Sequence, residues 1–262
     1  MSYRDAAAAA EHARDFWGKR YRNFSLSESG WMGAGERYNR YLYECKRQAL
    51  MKALRQIGVN ENSSLNVLDA GCGQGFFADV WQNDFPNVNY TGVDICGKLV
   101  AHLRTKFPRG EFFAGDVSAW LHPAGKKFDL IYSFEVLHLL LSDAAVESTV
   151  CNLSDQLKPG GHLLITAAMP EDAVEPNEYI RHQGREFWNA AFRTAGLEMV
   201  EVNRMYYWLP DGGPKNRYAN KLLRLPGRWL LYVLDRYAHW LKLPQVFGSW
   251  DSRMKLLLLL KR

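Results

Sequence analysis

An aspartate and three glycines form the most distinctive chemical cluster in the 262-residue chain. Residues 65–78 are LNVLDAGCGQGFFA, so Asp69 ends an apolar run and is followed at alternate positions by Gly71, Gly73 and Gly75. Glycine permits tight turns and a close approach of the backbone to a ligand, and a helix N-terminus presents unpaired N–H groups. The cluster therefore predicts a ligand-binding loop between a strand and a helix.

The spacing of these glycines excludes two common nucleotide-binding loops. It is D-x-G-x-G-x-G, and neither the G-x-G-x-x-G of a dinucleotide loop nor the G-x-x-x-x-G-K-[ST] of a triphosphate loop is present there. Two further acids, Asp94 in TGVDI and Asp116 in AGDV, also follow apolar runs. The seven histidines lack ligand spacing, which predicts no metal site. The four cysteines form no C-x-x-C pair, which predicts a reduced protein in the cytoplasm.

The elements that must position these residues alternate between apolar runs and amphipathic stretches. Continuous apolar strands that alternate with helices indicate a parallel sheet covered on both faces. The predicted strands are 65–70, 88–93, 111–114, 128–134, 162–168, 197–208 and 254–260, and the predicted helices among them are 76–84, 97–107, 143–157 and 185–195.

Composition narrows the class of protein. Hydrophobic residues make up 47% and charged residues 23%, which excludes a disordered, collagen-like or coiled-coil chain. No apolar window approaches about 18 residues, so no transmembrane helix is predicted. The net charge of +5 is uneven, because residues 203–262 contain twelve basic and three acidic residues.

Five motifs in register resemble those of the class I S-adenosylmethionine (SAM)-dependent methyltransferases. The glycine loop, Asp94 and Asp116 occur in that family's order, followed by FDLIYSFEVLHLL at 128–140 and LKPGGHLLI at 157–165. The resemblance spans about residues 65–208 and 254–260. It implies an α/β fold with a seven-stranded Rossmann-like sheet of order 3-2-1-4-5-7-6, in which the last strand is antiparallel.

The resemblance also implies a SAM cofactor and the side chains that hold it. Asp94 would bind the ribose hydroxyls and Asp116 the adenine amino group, whereas Asp69 would hold the loop and the amino group of the ligand. The expected cofactor-binding residues are Asp69, Gly71, Cys72, Gly73, Gly75, Asp94, Ile95, Asp116, Val117 and Ser133.

Methyl transfer is a direct displacement, so the protein mainly positions the acceptor. A base is needed only when the acceptor atom carries a proton of high pKa. His138, just after the fourth strand, is the leading candidate, and Glu135 is the second. Both could instead line the following helix, and Glu135 could contact the cofactor. His182 lies in a loop that often supplies substrate residues in the family, although a surface histidine is the alternative.

Three segments are expected. Residues 1–57 form an N-terminal helical segment, either a lid that places Trp31 and Tyr38 near the acceptor or a helix pair packed on the sheet. Residues 58–208 and 254–262 form the SAM-binding core. Residues 209–253 form a helical insertion, for which an acceptor cap is expected, with Tyr207 and Trp229 as further acceptor contacts.

The basic and aromatic stretch 228–243 leaves four alternatives open: a roof over the acceptor pocket, a peripheral membrane contact, a homodimer contact, or ordinary packing on the domain. No nucleic-acid partner is expected, since no recognition module is present.

The sequence therefore predicts a SAM-dependent methyltransferase that acts on a small molecule. The expected acceptor is a hydroxyl oxygen of a lipid-, polyketide- or glycan-like metabolite. Transfer to nitrogen or carbon, a non-methyl use of SAM, and SAM binding without transferase activity remain alternatives, because the fold does not set the chemistry.

Overall fold

A computed structural model of the chain describes residues 6–30, 35–205 and 254–262, apart from the side chains of residues 6–10, 37, 38, 177 and 204. The helices are α1 (Ala6–Arg20), α2 (Leu26–Ser29), α3 (Gly35–Gln56), α4 (Phe76–Asp84), α5 (Gly97–Lys106), α6 (Asp143–Asp155) and α7 (Arg185–Thr194), with a 3₁₀ turn at Leu137–Leu139. The strands are β1 (Asn66–Ala70), β2 (Asn89–Asp94), β3 (Glu111–Ala114), β4 (Phe128–Ser133), β5 (Leu157–Ala168), β6 (Val174–Asn177), β7 (Ile180–His182), β8 (Leu197–Arg204) and β9 (Met254–Lys261).

Seven of these strands form one sheet in the order β3-β2-β1-β4-β5-β9-β8. Strands β1 to β5 pair in parallel, and β9 runs antiparallel to both β5 and β8. Since β8 and β9 are the sixth and seventh strands of the sheet along the chain, the predicted order and the antiparallel last strand are confirmed.

The five leucines near the end of the chain lie inside this sheet. Leu256, Leu257 and Leu259 are fully buried in β9, between β5 and β8. A strand covered on both faces has no polar face, which explains the uninterrupted leucine run.

Two hydrophobic cores cover the two faces of the sheet. Helices α3, α4 and α5 pack on one face, with Leu50, Trp81 and Leu99 fully buried or nearly so. Helices α6 and α7 cover the other face through residues such as Val150 and Trp188. The helices thus hold the carboxyl ends of the central strands in fixed positions.

Three local features differ from the sequence prediction. Strand β5 begins at Leu157 and not at His162, because its pairing with β4 continues backwards across a register shift that accommodates the glycines of LKPGG. The short helix α2, in the Ser- and Gly-rich stretch between α1 and α3, is not among the predicted elements. The hairpin β6–β7 was not predicted.

Candidate functional site

A cavity lies at the carboxyl ends of β1, β2 and β4, where open α/β sheets bind their ligands. The glycine loop and the segments that follow β2, β3 and β4 form its floor, and side chains of α1, α2 and α3 form the opposite wall. Eight of the predicted cofactor-binding residues line this cavity: Asp69, Gly71, Cys72, Gly73, Asp94, Ile95, Asp116 and Val117.

The glycine loop adopts backbone conformations that favour glycine. Gly71, Gly73 and Gly75 have φ of 90°, 51° and 81°, in the left-handed region. The N–H groups of Gly71 and Cys72 both donate to the carbonyl of Val93, at 2.8 and 3.0 Å, which ties the loop to the end of β2. The backbone of the loop is thereby presented to the cavity.

Asp94 joins the end of β2 to the glycine loop. Its carboxylate accepts the backbone N–H of Gly73 and of Cys96, each at 3.0 Å. Burial raises the pKa of Asp94, while the N–H groups of Cys96, Gly73 and Ile95 oppose that rise. Asp94, and not Asp69, is therefore the acid that holds the loop among the described residues.

Asp69 is bound by two tyrosines that the sequence analysis did not identify. Its Oδ2 accepts the hydroxyls of Tyr90 and Tyr132, at 2.8 and 3.0 Å. Trp81 donates in turn to the hydroxyl of Tyr132 at 3.1 Å. Burial raises the pKa of Asp69 to about 7, with the two tyrosine hydrogen bonds opposing and the Asp94 charge adding to the rise. Tyr132 is the register partner of Asp69 on β4, so a correct strand alignment would have revealed this contact.

Asp116 lies in the cavity wall after β3. Its Oδ1 accepts the N–H and the hydroxyl of Ser118, at 2.9 and 2.8 Å. Those two hydrogen bonds fix the orientation of the Asp116 carboxylate. Asp116 lines the cavity together with Ile95 and Val117.

Two predicted cofactor residues lie behind the wall of this cavity. The hydroxyl of Ser133 donates to the carbonyl of Ala70 at 2.8 Å, and its side chain is fully buried. A side chain at Gly75 would meet Leu103 and Phe107, at 2.7 and 2.6 Å. Ser133 thus bonds the end of β1, and the lack of a side chain at Gly75 lets the loop pack against Leu103 and Phe107.

Glu135 lines the cavity and forms an ion pair with Lys46 of α3. The Lys46 Nζ lies 2.5 Å from Oε2 of Glu135 and 4.2 Å from the ring centre of Tyr43. Sequence analysis missed Lys46, although it occupies the apolar stripe of α3, four residues after Leu42 and three before Ala49.

His138 and His182 lie side by side, and neither lines the cavity, although Leu139, the neighbour of His138 in the chain, does. Their ring centres are 5.9 Å apart, which places the β6–β7 hairpin against the 3₁₀ turn. Burial lowers the pKa of His138 to about 4, with the nearby His182 adding to this effect and Glu135 opposing it. The imidazole of His138 is therefore neutral at pH 7.

The N-terminal helices contribute a connected set of side chains to the wall. The Ser29 hydroxyl lies 2.6 Å from Oε1 of Gln74, in the glycine loop, and 3.1 Å from the hydroxyl of Tyr21. Trp17 stacks on Tyr21 with ring centres 5.7 Å apart. Helix α2 is thus bonded to the glycine loop directly, and α1 is connected to it through Tyr21 and Ser29.

Several predicted features lie outside the described residues. These are Trp31, Tyr207, Trp229, the side chain of Tyr38, the insertion 209–253 and its stretch 228–243. Within the described ranges, no group of three or more His, Cys, Asp or Glu could hold a metal ion. The helices found in those same ranges are all too short or too polar to cross a bilayer.

Comparison with known proteins points to one family. Residues 67–161 match the family described as "Methyltransferase domain". Trans-aconitate 2-methyltransferase of Paracidovorax citrulli (strain AAC00-1) is 31% identical over 116 residues, covering 44% of this chain and 43% of that protein. Malonyl-[acyl-carrier protein] O-methyltransferase of Paenibacillus sp. (strain JDR-2) is 28% identical over 161 residues, covering 59% and 57%. The chain spans about half the length of the curated relatives it matches.

Solved structures show a likeness in fold. Magnesium protoporphyrin IX methyltransferase from Synechocystis PCC 6803, a structure with bound SAM, aligns over 100% of both chains with a TM-score of 0.61 and 13% identity, a likeness in fold. The matched domain, the sheet order and this likeness together show the Rossmann-like methyltransferase fold, and residues 67–161 are similar to the methyltransferase domain of that family.

Proposed function

We propose that the protein transfers a methyl group from SAM to an oxygen atom of a small-molecule acceptor. The observation that carries the proposal is the placement of Asp69, Asp94 and Asp116 around one cavity at the carboxyl ends of the strands. Each carboxylate lies at the end of a different strand or just after it, and each is oriented by hydrogen bonds from its surroundings.

The residues present fit the cofactor. SAM carries cationic and hydrogen-bond-donating groups, and three buried or half-buried carboxylates offer the acceptors that such groups need. Gly71 and Gly73 line the same cavity, where an added Cβ would clash with the Val136 side chain at Gly71 and would lie 3.3 Å from Oγ of Ser29 at Gly73. Asp94 would hold the ribose, Asp116 the adenine and Asp69 the amino group.

When bound, SAM supplies an activated methyl group whose leaving group is neutral. The work left to the protein is to orient the acceptor and to exclude water. Aromatic side chains on both sides of the cavity, Trp17 and Tyr43 from the N-terminal helices and Phe77 and Phe134 from the core, suit that task. His138, neutral at pH 7, could accept a proton from an acceptor hydroxyl.

Oxygen is the proposed acceptor atom because the malonyl-[acyl-carrier protein] relative is by name an O-methyltransferase. A lipid-, polyketide- or glycan-like metabolite remains the proposed kind of acceptor. Peripheral membrane contact or homodimer formation through residues 228–243 remains a proposal as well.

The test is binding followed by turnover. Isothermal calorimetry should detect binding of S-adenosylhomocysteine (SAH), and metabolite pools incubated with protein and methyl-labelled SAM should yield a labelled product heavier by one methylene. Hydroxide lability of the label as methanol would identify an ester, whereas an ether or an N-methyl product would keep it. A folded protein that binds no SAH would overturn the proposal, and one that binds SAH but labels nothing would favour a SAM-binding protein without transferase activity.

A further inference from the structure

Lys46 differs from the other charged groups of the cavity. Among the described residues that line it, Lys46 is the one basic side chain, whereas Asp69, Asp94, Asp116 and Glu135 are acidic. Its side chain is only 3% exposed. Lysine is almost never fully buried unless it is paired, so this position requires an anion.

The ammonium stays charged in this environment. Burial lowers the pKa of Lys46, but the charge of Glu135 and the neighbouring Tyr43 together outweigh burial and raise it. The side chain reaches the cavity from α3, outside the matched domain that begins at residue 67. A fixed positive charge therefore faces the cavity from the N-terminal wall.

Glu135, the partner of Lys46, is less confined than the lysine. Its side chain is 26% exposed. Its backbone has a φ of 59°, a conformation rare for residues other than glycine, and its N–H donates to the hydroxyl of Thr166 at 2.6 Å. The backbone is thus held in place, while the carboxylate has a route to solvent that the ammonium of Lys46 lacks.

We propose that Lys46 binds a carboxylate of the methyl acceptor, which replaces the carboxylate of Glu135 against the ammonium. This inference rests on the proposed function. An uncharged acceptor that displaced Glu135 would leave a buried ammonium without an anion, which is strongly unfavourable. The pair thereby selects acceptors with an anionic end, and the acids named for the two relatives, trans-aconitate and malonyl, are of this chemical kind.

The carboxylate that pairs with Lys46 has two possible sources, the acceptor and the cofactor, since SAM itself carries a carboxylate. The two sources are separable because SAH also carries that group and binds without an acceptor. If Lys46 served the cofactor, its removal would weaken SAH binding. If it serves the acceptor, SAH binding would persist and binding of a second carboxylate would be lost.

The experiment titrates the SAH-saturated protein with trans-aconitate, hexanoate and benzoate, and with the methyl ester of each. We expect at least one acid to bind about tenfold or more tightly than its ester, as a charge-assisted hydrogen bond predicts. Lys46→Gln should remove that preference and leave SAH affinity unchanged, while Lys46→Arg should keep part of it. Glu135→Gln removes the competing carboxylate and should strengthen binding of the acid.

Lys52→Gln is the matched control, because Lys52 lies on the same helix, is 55% exposed and pairs with Glu201 away from the cavity. It should behave as the wild type. Equal affinity for acid and ester in the wild-type SAH complex would overturn the inference and leave the proposed function standing. Loss of SAH binding in a folded Lys46→Gln variant would assign Lys46 to the cofactor and also overturn it. A wild-type protein without SAH affinity would overturn both.

If Lys46→Gln does not fold, Lys46→Arg and Glu135→Gln still decide the question. Both keep a polar group at the pair, and circular dichroism would report whether each is native. A native Glu135→Gln variant that binds the acid more weakly than the wild type would show that Glu135 is no competitor, and the inference would fail.

Discussion

The hydroxyl of Tyr132 donates to Oδ2 of Asp69 across the β1–β4 pair, at 3.0 Å, and shares that oxygen with the hydroxyl of Tyr90. Both phenols thus bond one side of a buried carboxylate that also faces the cavity. Both hydrogen bonds go to Oδ2, so Oδ1 has no partner among the described residues, and the proposed contact of Asp69 with the ligand's amino group would make binding depend on the protonation of Asp69.

The affinity for SAH is expected to fall as the pH drops below about 7. Asp69 has a pKa of about 7, and only its ionised form attracts the ligand's ammonium. Tyr132→Phe removes a hydrogen bond that lowers this pKa, so the midpoint of the affinity profile should move to higher pH. Calorimetry at several pH values measures both effects, and Tyr179→Phe, at a half-exposed tyrosine, is the control.

The same shift affects stability with a defined sign. The folded-state pKa of Asp69 is above the usual 3.8, so its contribution to the free energy of unfolding is complete below that pH and is lost as the pH rises through about 7.

For the binding prediction, an SAH affinity that stays constant across this pH range would mean that Asp69 does not contact the amino group.

Asp94→Ala is expected to weaken SAH binding by about one to two orders of magnitude, from about 1.5–3 kcal/mol of lost hydrogen bonding to a charged group. The variant also frees the N–H groups of Gly73 and Cys96, which loosens the loop. Calorimetry on a variant with native circular dichroism measures the loss. Asp79→Ala, an exposed acid of α4, should leave the affinity unchanged, and native affinity in Asp94→Ala would refute the ribose assignment.

Gly73→Val is expected to abolish SAH binding and to leave the fold largely intact. A Cβ at Gly73 would lie 3.3 Å from Oγ of Ser29, so a branched side chain would occupy the narrow space between the loop and α2. Gly125→Val is the control, because Gly125 has a similar φ of 64° but has open space around it. Thermal unfolding reports the shared backbone cost, and calorimetry reports the binding effect. Native affinity in Gly73→Val would mean that the glycine serves only the turn.

The sequence predicted the sheet because each central strand is apolar on both faces and therefore forms a continuous run. Helix α4 matches its predicted span of residues 76–84, since an aspartate and glycines precede it. Strand β5 was predicted too short, because the glycines of LKPGG resemble a turn while a register shift keeps them within the ladder. The β6–β7 hairpin has no regular alternation over its short strands, so no pattern could reveal it.

In the candidate site, the motif residues were predictable and their partners were not. Asp94 and the glycines follow local spacing, whereas the contacts of Tyr90, Tyr132 and Lys46 depend on strand register and helix orientation. The left-handed backbone of Glu135 also has no local signal, since glycine or asparagine would be expected there. These contacts depend on tertiary packing between residues distant in the chain, which local sequence patterns do not reveal.

His138→Gln is expected to lower kcat by about 10²–10⁴ for a hydroxyl acceptor, the usual contribution of a general base. At saturating SAM, the wild-type kcat should stay level from neutral pH down toward the His138 pKa of about 4, because the imidazole remains neutral over that range. SAH affinity should not change. His162→Gln, on the middle of β5, is the control. A full kcat in His138→Gln would mean that the acceptor needs no base, as for a carboxylate.

SAH is expected to protect the backbone amides of residues 11–30 from hydrogen exchange. Ser29 of α2 bonds Gln74 of the glycine loop and also the hydroxyl of Tyr21, which directly follows α1. Arg20 donates to the carbonyl of Gly30 at 2.6 Å, which joins the two helices. If this segment closes over the cofactor, as a lid would, ligand binding stabilises the closed form and slows exchange there more than in α6.

Ser29→Ala removes the bond to Gln74 and should raise the SAH dissociation rate about fivefold, the effect of about 1 kcal/mol. Ser148→Ala, at an exposed serine of α6, is the control. Equal exchange with and without SAH would identify the N-terminal helices as a static wall.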